Sequence, residues 1–68
     1  MEINRLNDAI EAFRQSLRIN PKDASAWHFL GDAYFFSGNR NAALDAVQKL
    51  RNIDPVQADE LFNRIVPR

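Results

Sequence analysis

Cysteine is absent from the 68-residue chain. That excludes a disulfide framework, a thiolate nucleophile and any cysteine-ligated metal. Histidine occurs once, as His28, so a metal site or a cofactor built on imidazoles is not expected. A surplus of one charge is also missing: nine Lys and Arg balance nine Asp and Glu. A neutral chain lacks the basic excess by which proteins hold nucleic acids or anionic membranes. No apolar run approaches the roughly 18 residues of a membrane span. The start Met1-Glu2-Ile3-Asn4-Arg5 has no signal-peptide hydrophobic region, so the cytoplasm is the expected compartment. What is present is apolar content, 46 % of residues, the proportion of a folded chain. A chain this short buries little of its surface, so it depends on good helix packing or on self-association.

Only two glycines and three prolines interrupt the pattern. Leu6, Ala9, Ile10, Phe13 and Leu17 recur at spacings of three and four, which predicts an amphipathic helix over about Arg5 to Asn20. A second helix is predicted from Ala24 to Ser37. Asp23 would cap it, because a carboxylate there accepts from the free first-turn amides. Gly38 would end it in a left-handed conformation. Ala43, Leu44, Val47 and Leu50 mark a third helix, about Asn41 to Asn52. A fourth follows Asp54, with Pro55 in its first turn and Gln57 completing a capping box, and runs to about Val66 before Pro67. No stretch alternates with period two, so no strand is predicted.

Pro21 and Pro55 stand 34 residues apart, and at the same offset Asn7, Ala9, Ala12 and Ile19 match Asn41, Ala43, Ala46 and Ile53. The second helix reads Trp27-x2-Leu30-Gly31-x2-Tyr34, the third Ala43-x3-Val47, and the unit closes at Pro55. The preceding half-unit supplies Ala9-x3-Phe13 and then Pro21. This pattern resembles the tetratricopeptide repeat, whose signature is W-x2-L-G-x2-Y, A-x3-F and P; Val47 takes the place of the final aromatic. The resemblance implies an all-α fold of antiparallel helix-turn-helix repeats stacked as a short α-solenoid. Residues 1–21 would be the second helix of a partial repeat, 22–55 a full repeat, and 56–68 a C-terminal capping helix. Asp59, Glu60, Asn63 and Arg64 would face water on that cap. Gly31 and Ala43 are small where two antiparallel helices cross, so their contact is expected to bring the backbones close.

Asn4 sits at the position matching Gly38, so the partner helix for Leu6, Ile10, Phe13 and Leu17 would be missing. The expectation is either an artificial or proteolytic start, or a second copy covering that open face. A homodimer could also form by exchanging hairpins opened at Ser37–Arg40.

The resemblance further implies a protein or peptide partner on a concave face lined by Ser25, His28, Asp32, Phe35 and Phe36, with Asp59 and Phe62 added by the cap helix. Phe36 stands where the family is usually polar, and two adjacent aromatics cannot both enter one core stripe. Members that grip the C-terminal carboxylate of chaperone tails carry a basic residue and an asparagine where this chain has His28 and Asp32; that activity is not expected. Arg14, Arg18, Arg51 and Arg64 are interspersed with Asp8, Glu11, Asp45 and Glu60, a mixed solvated surface. Ser16, Ser25 and Ser37 have no supporting His and acid arrangement. Asp59 and Glu60, adjacent on a helix, point apart. No catalytic role is expected.

Overall fold

The computed structural model describes residues 3–67. Met1, Glu2 and Arg68, at the outer ends of the expected segments 1–21 and 56–68, lie outside the described residues. Four helices follow one another: α1 (Ile3–Ile19), α2 (Ala24–Phe36), α3 (Arg40–Arg51) and α4 (Pro55–Ile65). No strand occurs among the described residues. Asn4, expected in a turn, is helical.

Each helix boundary has a local chemical cause. Asp23 accepts from the Ala26 amide at 3.2 Å. Gly38 has φ +89°, the only positive φ among the described residues. Around it the Asn39 amide donates to the Tyr34 carbonyl at 2.9 Å and the Gly38 amide to the Phe35 carbonyl at 3.1 Å, the two bonds of a Schellman ending. Asn39 then caps α3 through its own side chain, accepting from Ala42 N at 3.1 Å. α3 therefore starts at Arg40, one residue earlier than expected. At α4, Asp54 Oδ1 accepts from the Val56 and Gln57 amides at 3.1 and 3.2 Å. The Gln57 side chain does not return to the Asp54 amide, which already donates to the Leu50 carbonyl at 2.7 Å. It donates instead to Asp54 Oδ2 at 3.0 Å.

These donors hold the Asp54 carboxyl below the usual aspartate range; the Gln57 side chain contributes most, then the Gln57 amide, against a smaller opposing effect of desolvation. A depressed folded-state pKa means stability that is fully present above the unfolded value, about 3.9, and lost as pH falls through the lower folded one. We expect the thermal midpoint to drop on acidification below about pH 4, and Asp54→Asn to flatten that part of the drop. Parallel melts at pH 3 and pH 6 monitored by circular dichroism check this; an unchanged difference between the two pH values in the variant would count against it.

α2 is the central element, touching α1, α3 and α4, while α3 also packs on α4; among the described residues α1 touches α2 alone. The Cα extents are 32 × 29 × 15 Å, a thin slab. One core cluster joins Ala43, Val47 and Leu50 of α3 to Ala58, Leu61 and Ile65 of α4. A second joins Leu17 of α1 to Ala26 and Leu30 of α2, with Ile10 and Phe13 against it. Trp27 and Tyr34 pack on both.

The packing identifies what fills the notch at Gly31 and revises one expectation. A side chain at Gly31 would first meet Leu61: a Cβ built there overlaps Leu61 Cδ2 and lies 3.3 Å from Cδ1. The notch thus receives the next helix of the stack, α4, while Ala43 is fully buried in the α3–α4 cluster. The face of Leu6, Ile10, Phe13 and Leu17 is not open. Leu6 and Leu17 are 4 % and 7 % exposed and Ile10 and Phe13 half-buried, and α2 is the helix packed on α1.

Candidate functional site

Ser25, His28, Asp32, Phe35 and Phe36 recur at three- and four-residue steps and so share one side of α2. Ser25 is exposed near the helix start. The adjacent phenylalanines divide as their angular separation requires. Phe35 is half-buried against the α3–α4 cluster, and Phe36 is 59 % exposed. Their ring centroids are 5.7 Å apart and tilted by 53°.

One turn earlier the site is polar and already knitted to α4. Arg64 Nη1 forms an ion pair with Asp32 Oδ2 at 2.6 Å, and His28 Nδ1 lies 3.8 Å from the same oxygen. The His28 and Asp32 side chains are only about one-sixth exposed, and His28 Nε2 and Asp32 Oδ1 are buried without a hydrogen-bond partner. Asp32 is therefore no solvated acid. Its charge is matched by Arg64, which reaches back from the outer side of α4 because a long guanidinium stem can follow the helix surface.

Asp59 and Phe62 sit apart from this group. Asp59 accepts from Arg51 Nη1 of α3 at 2.9 Å. Phe62 is half-buried on the α3–α4 cluster, and the two line a depression with Arg51 and Asn63 that includes no α2 residue. The expected concave set thus forms one group along α2 and another at the α3–α4 corner.

Phe29, not singled out in the sequence, is 52 % exposed and stacks on Phe13 of α1 with centroids 5.9 Å apart and planes 23° from parallel. Its signal was available: Phe29 lies off the Trp27, Leu30 and Tyr34 stripe and seven residues, two turns, before Phe36. No three of His, Asp and Glu come together as a metal-binding group among the described residues. Among them, too, no helix is long and apolar enough to cross a membrane.

A family model described as the tetratricopeptide repeat matches residues 1–64. Over 57 residues the chain is 44 % identical to Superkiller protein 3 of Schizosaccharomyces pombe, a match that covers 81 % of this chain and 4 % of that protein. It is 30 % identical over 56 residues to Superkiller complex protein 3 of Mus musculus, covering 82 % of this chain and again 4 % of the relative. The chain therefore spans about one twenty-fifth of the length of these curated relatives. No solved structure is matched.

Proposed function

The chain belongs to the tetratricopeptide repeat family, and from that premise we propose that it binds a segment of another protein along the α2 side of the stack. Repeats of this family are in general non-catalytic interaction modules. The observation that carries the finer reading is Phe36: a large aromatic, 59 % exposed, braced by Phe35 against the core. An anchored aromatic loses little conformational entropy when a partner covers it, which is why such residues dominate binding energy at interfaces. Beside it, the Asp32–Arg64 pair fixes the spacing of α2 and α4, so a partner meets a preset surface. The mouse relative is by name a protein of a complex, and a repeat that presents one stretch of a longer binding surface accords with that name.

The test is selection of peptides from a displayed random library on the folded chain, followed by titration of the best binder. Phe36→Glu is expected to weaken it by roughly 30-fold, the loss of about 2 kcal/mol typical of a hot-spot residue. Unchanged affinity in the variant would overturn the assignment of Phe36.

A second reading, self-association, is favoured by the exposed Phe29 stacked on Phe13. With Leu6 and Leu17 already buried, the pair Phe13 and Phe29 is what a second copy would meet. Sedimentation of the same samples decides it: a folded monomer at micromolar concentration removes this reading and leaves the first intact.

A further inference from the structure

α1 and α3 both pack on α2 but, among the described residues, do not touch each other. Between them runs a groove of about 360 Å³. Its floor is apolar: Leu17 from α1, with Trp27, Leu30 and Tyr34 from α2. Ala42 and Ala46 of α3 form the far wall, and their short side chains keep the groove open. The volume is at the small end of the range for ligand sites, room for one or two large side chains rather than a whole helix.

The rim is charged in one direction. Arg14 and Arg18 stand on the α1 side and Lys49 on the α3 side, against a single acid, Asp45. The whole chain is neutral, so this is a local concentration of positive charge. Arg18 and Lys49 take part in no ion pair among the described residues, and Arg14 has only Glu11, at the outer limit of 4.0 Å. Arg18 and Lys49 lie in the last turns of their helices, where cations complement the helix dipole. That accounts for two of the three, but neither for Arg14 nor for the apolar floor between them.

We propose that this groove docks a segment of a partner protein carrying one or two large apolar side chains flanked by Asp or Glu. The apolar side chains would cover Trp27 and Tyr34, and the flanking carboxylates would pair with Arg14 and Arg18 on one wall and Lys49 on the other. Charge complementarity selects the occupant: a basic flank would bring like charges together at the rim, and an uncharged one would leave the three cations unused. This surface does not include Phe36 or the Asp32–Arg64 pair, so it stands independently of the site proposed on the other side of α2.

The probe is a synthetic peptide with a Leu-Phe core and two glutamates on each side. Its comparators are a lysine-flanked version and one with the core replaced by alanine. Trp27 is the only tryptophan in the chain and lines the groove, so its fluorescence reports occupancy directly. The acid-flanked peptide is expected to bind at least tenfold more tightly than the lysine-flanked one, and to shift the amide resonances of Ala42 and Ala46. Replacing Arg14 and Lys49 together by glutamine, at exposed positions that leave the core intact, is expected to reduce affinity about tenfold, because each substitution removes one cation from the rim. Phe36→Glu should leave it unchanged. Equal affinity for the two flanked peptides would overturn the proposal. So would shifts confined to Phe35 and Phe36, or no binding at about 1 mM peptide, beyond the weak end of specific recognition.

Discussion

Gly31→Leu is expected to abolish cooperative folding of this chain, and Gly31→Ala to destabilise it, against the usual rule. In an ordinary helix interior, glycine to alanine gains about 1 kcal/mol. Here the new methyl would overlap Leu61 Cδ2, at a separation that real side chains do not tolerate. Leu61 is fully buried in the α3–α4 cluster, so a displaced methyl has to move among packed neighbours. Overpacking of this kind costs about 1–3 kcal/mol and more for a leucine. A 68-residue domain has a total margin of roughly 3–10 kcal/mol by the per-residue scale of small proteins. Leu61→Ala alone should cost about 2–5 kcal/mol by opening a cavity. Combined with Gly31→Ala it should cost less than the sum of the two, because the added methyl enters the space the leucine vacates. Urea midpoints of the four species form the double-mutant cycle. Gly38→Ala serves as the contrast: no atom lies within 4 Å of a Cβ there, its penalty arises from φ +89°, and Leu61→Ala should not relieve it. If Gly31→Ala proves more stable than the parent by about 1 kcal/mol, Leu61 does not occupy the notch.

That geometry marks where the sequence was readable and where it was not. Caps and periodicity are local properties, so Asp23, Gly38, Asp54 and the apolar spacing placed the helices to within about two residues. Spacing also told that Gly31 must be small. It did not tell which neighbour needs the room, because a stripe records which face is covered and not by what; the partner turned out to be Leu61, thirty residues on. The same limit hid the burial of Leu6, which is only 4 % exposed in this chain. Ion pairs were least legible. Arg64 looked solvated on α4 and Asp32 looked free on α2, and only the crossing of the two helices puts a flexible guanidinium on that carboxylate at 2.6 Å. Phe36 could be recognised as out of place because the family is usually polar there and two adjacent aromatics cannot both enter one core stripe. Phe29, off the core stripe, was open to the same reading; its stacking on Phe13 was not, since that depends on how α1 crosses α2.

Trp27→Ala is expected to release α1 from the rest of the chain before α3 and α4 lose their order. Trp27 and Tyr34 are the side chains that pack on both core clusters, and among the described residues the backbone of α1 comes close to that of α2 but not to α3 or α4. Stacked repeats hold together through nearest-neighbour interfaces, so weakening one interface lowers the stability of the segment beyond it more than that of the remainder. The Leu17, Ala26 and Leu30 cluster is the smaller of the two and loses its largest neighbour. The indole also donates Nε1–H to the Pro21 carbonyl at 2.8 Å, closing the turn between α1 and α2. Truncation to alanine removes both packing and hydrogen bond, for about 3 kcal/mol at a partly buried site. Trp27→Phe retains most of the packing and loses the bond, a net cost nearer about 1 kcal/mol. Native-state hydrogen exchange resolves the difference by helix. In Trp27→Ala, amides of α1 between Ile10 and Leu17 should exchange at least a hundredfold faster than in the parent while those of Val47 and Leu50 change much less. In Trp27→Phe the two sets should move together and slightly. Equal acceleration of α1 and α3 in the alanine variant would mean that the clusters on either side of α2 open as one unit, and that Trp27 is a part of a single core rather than the link between two.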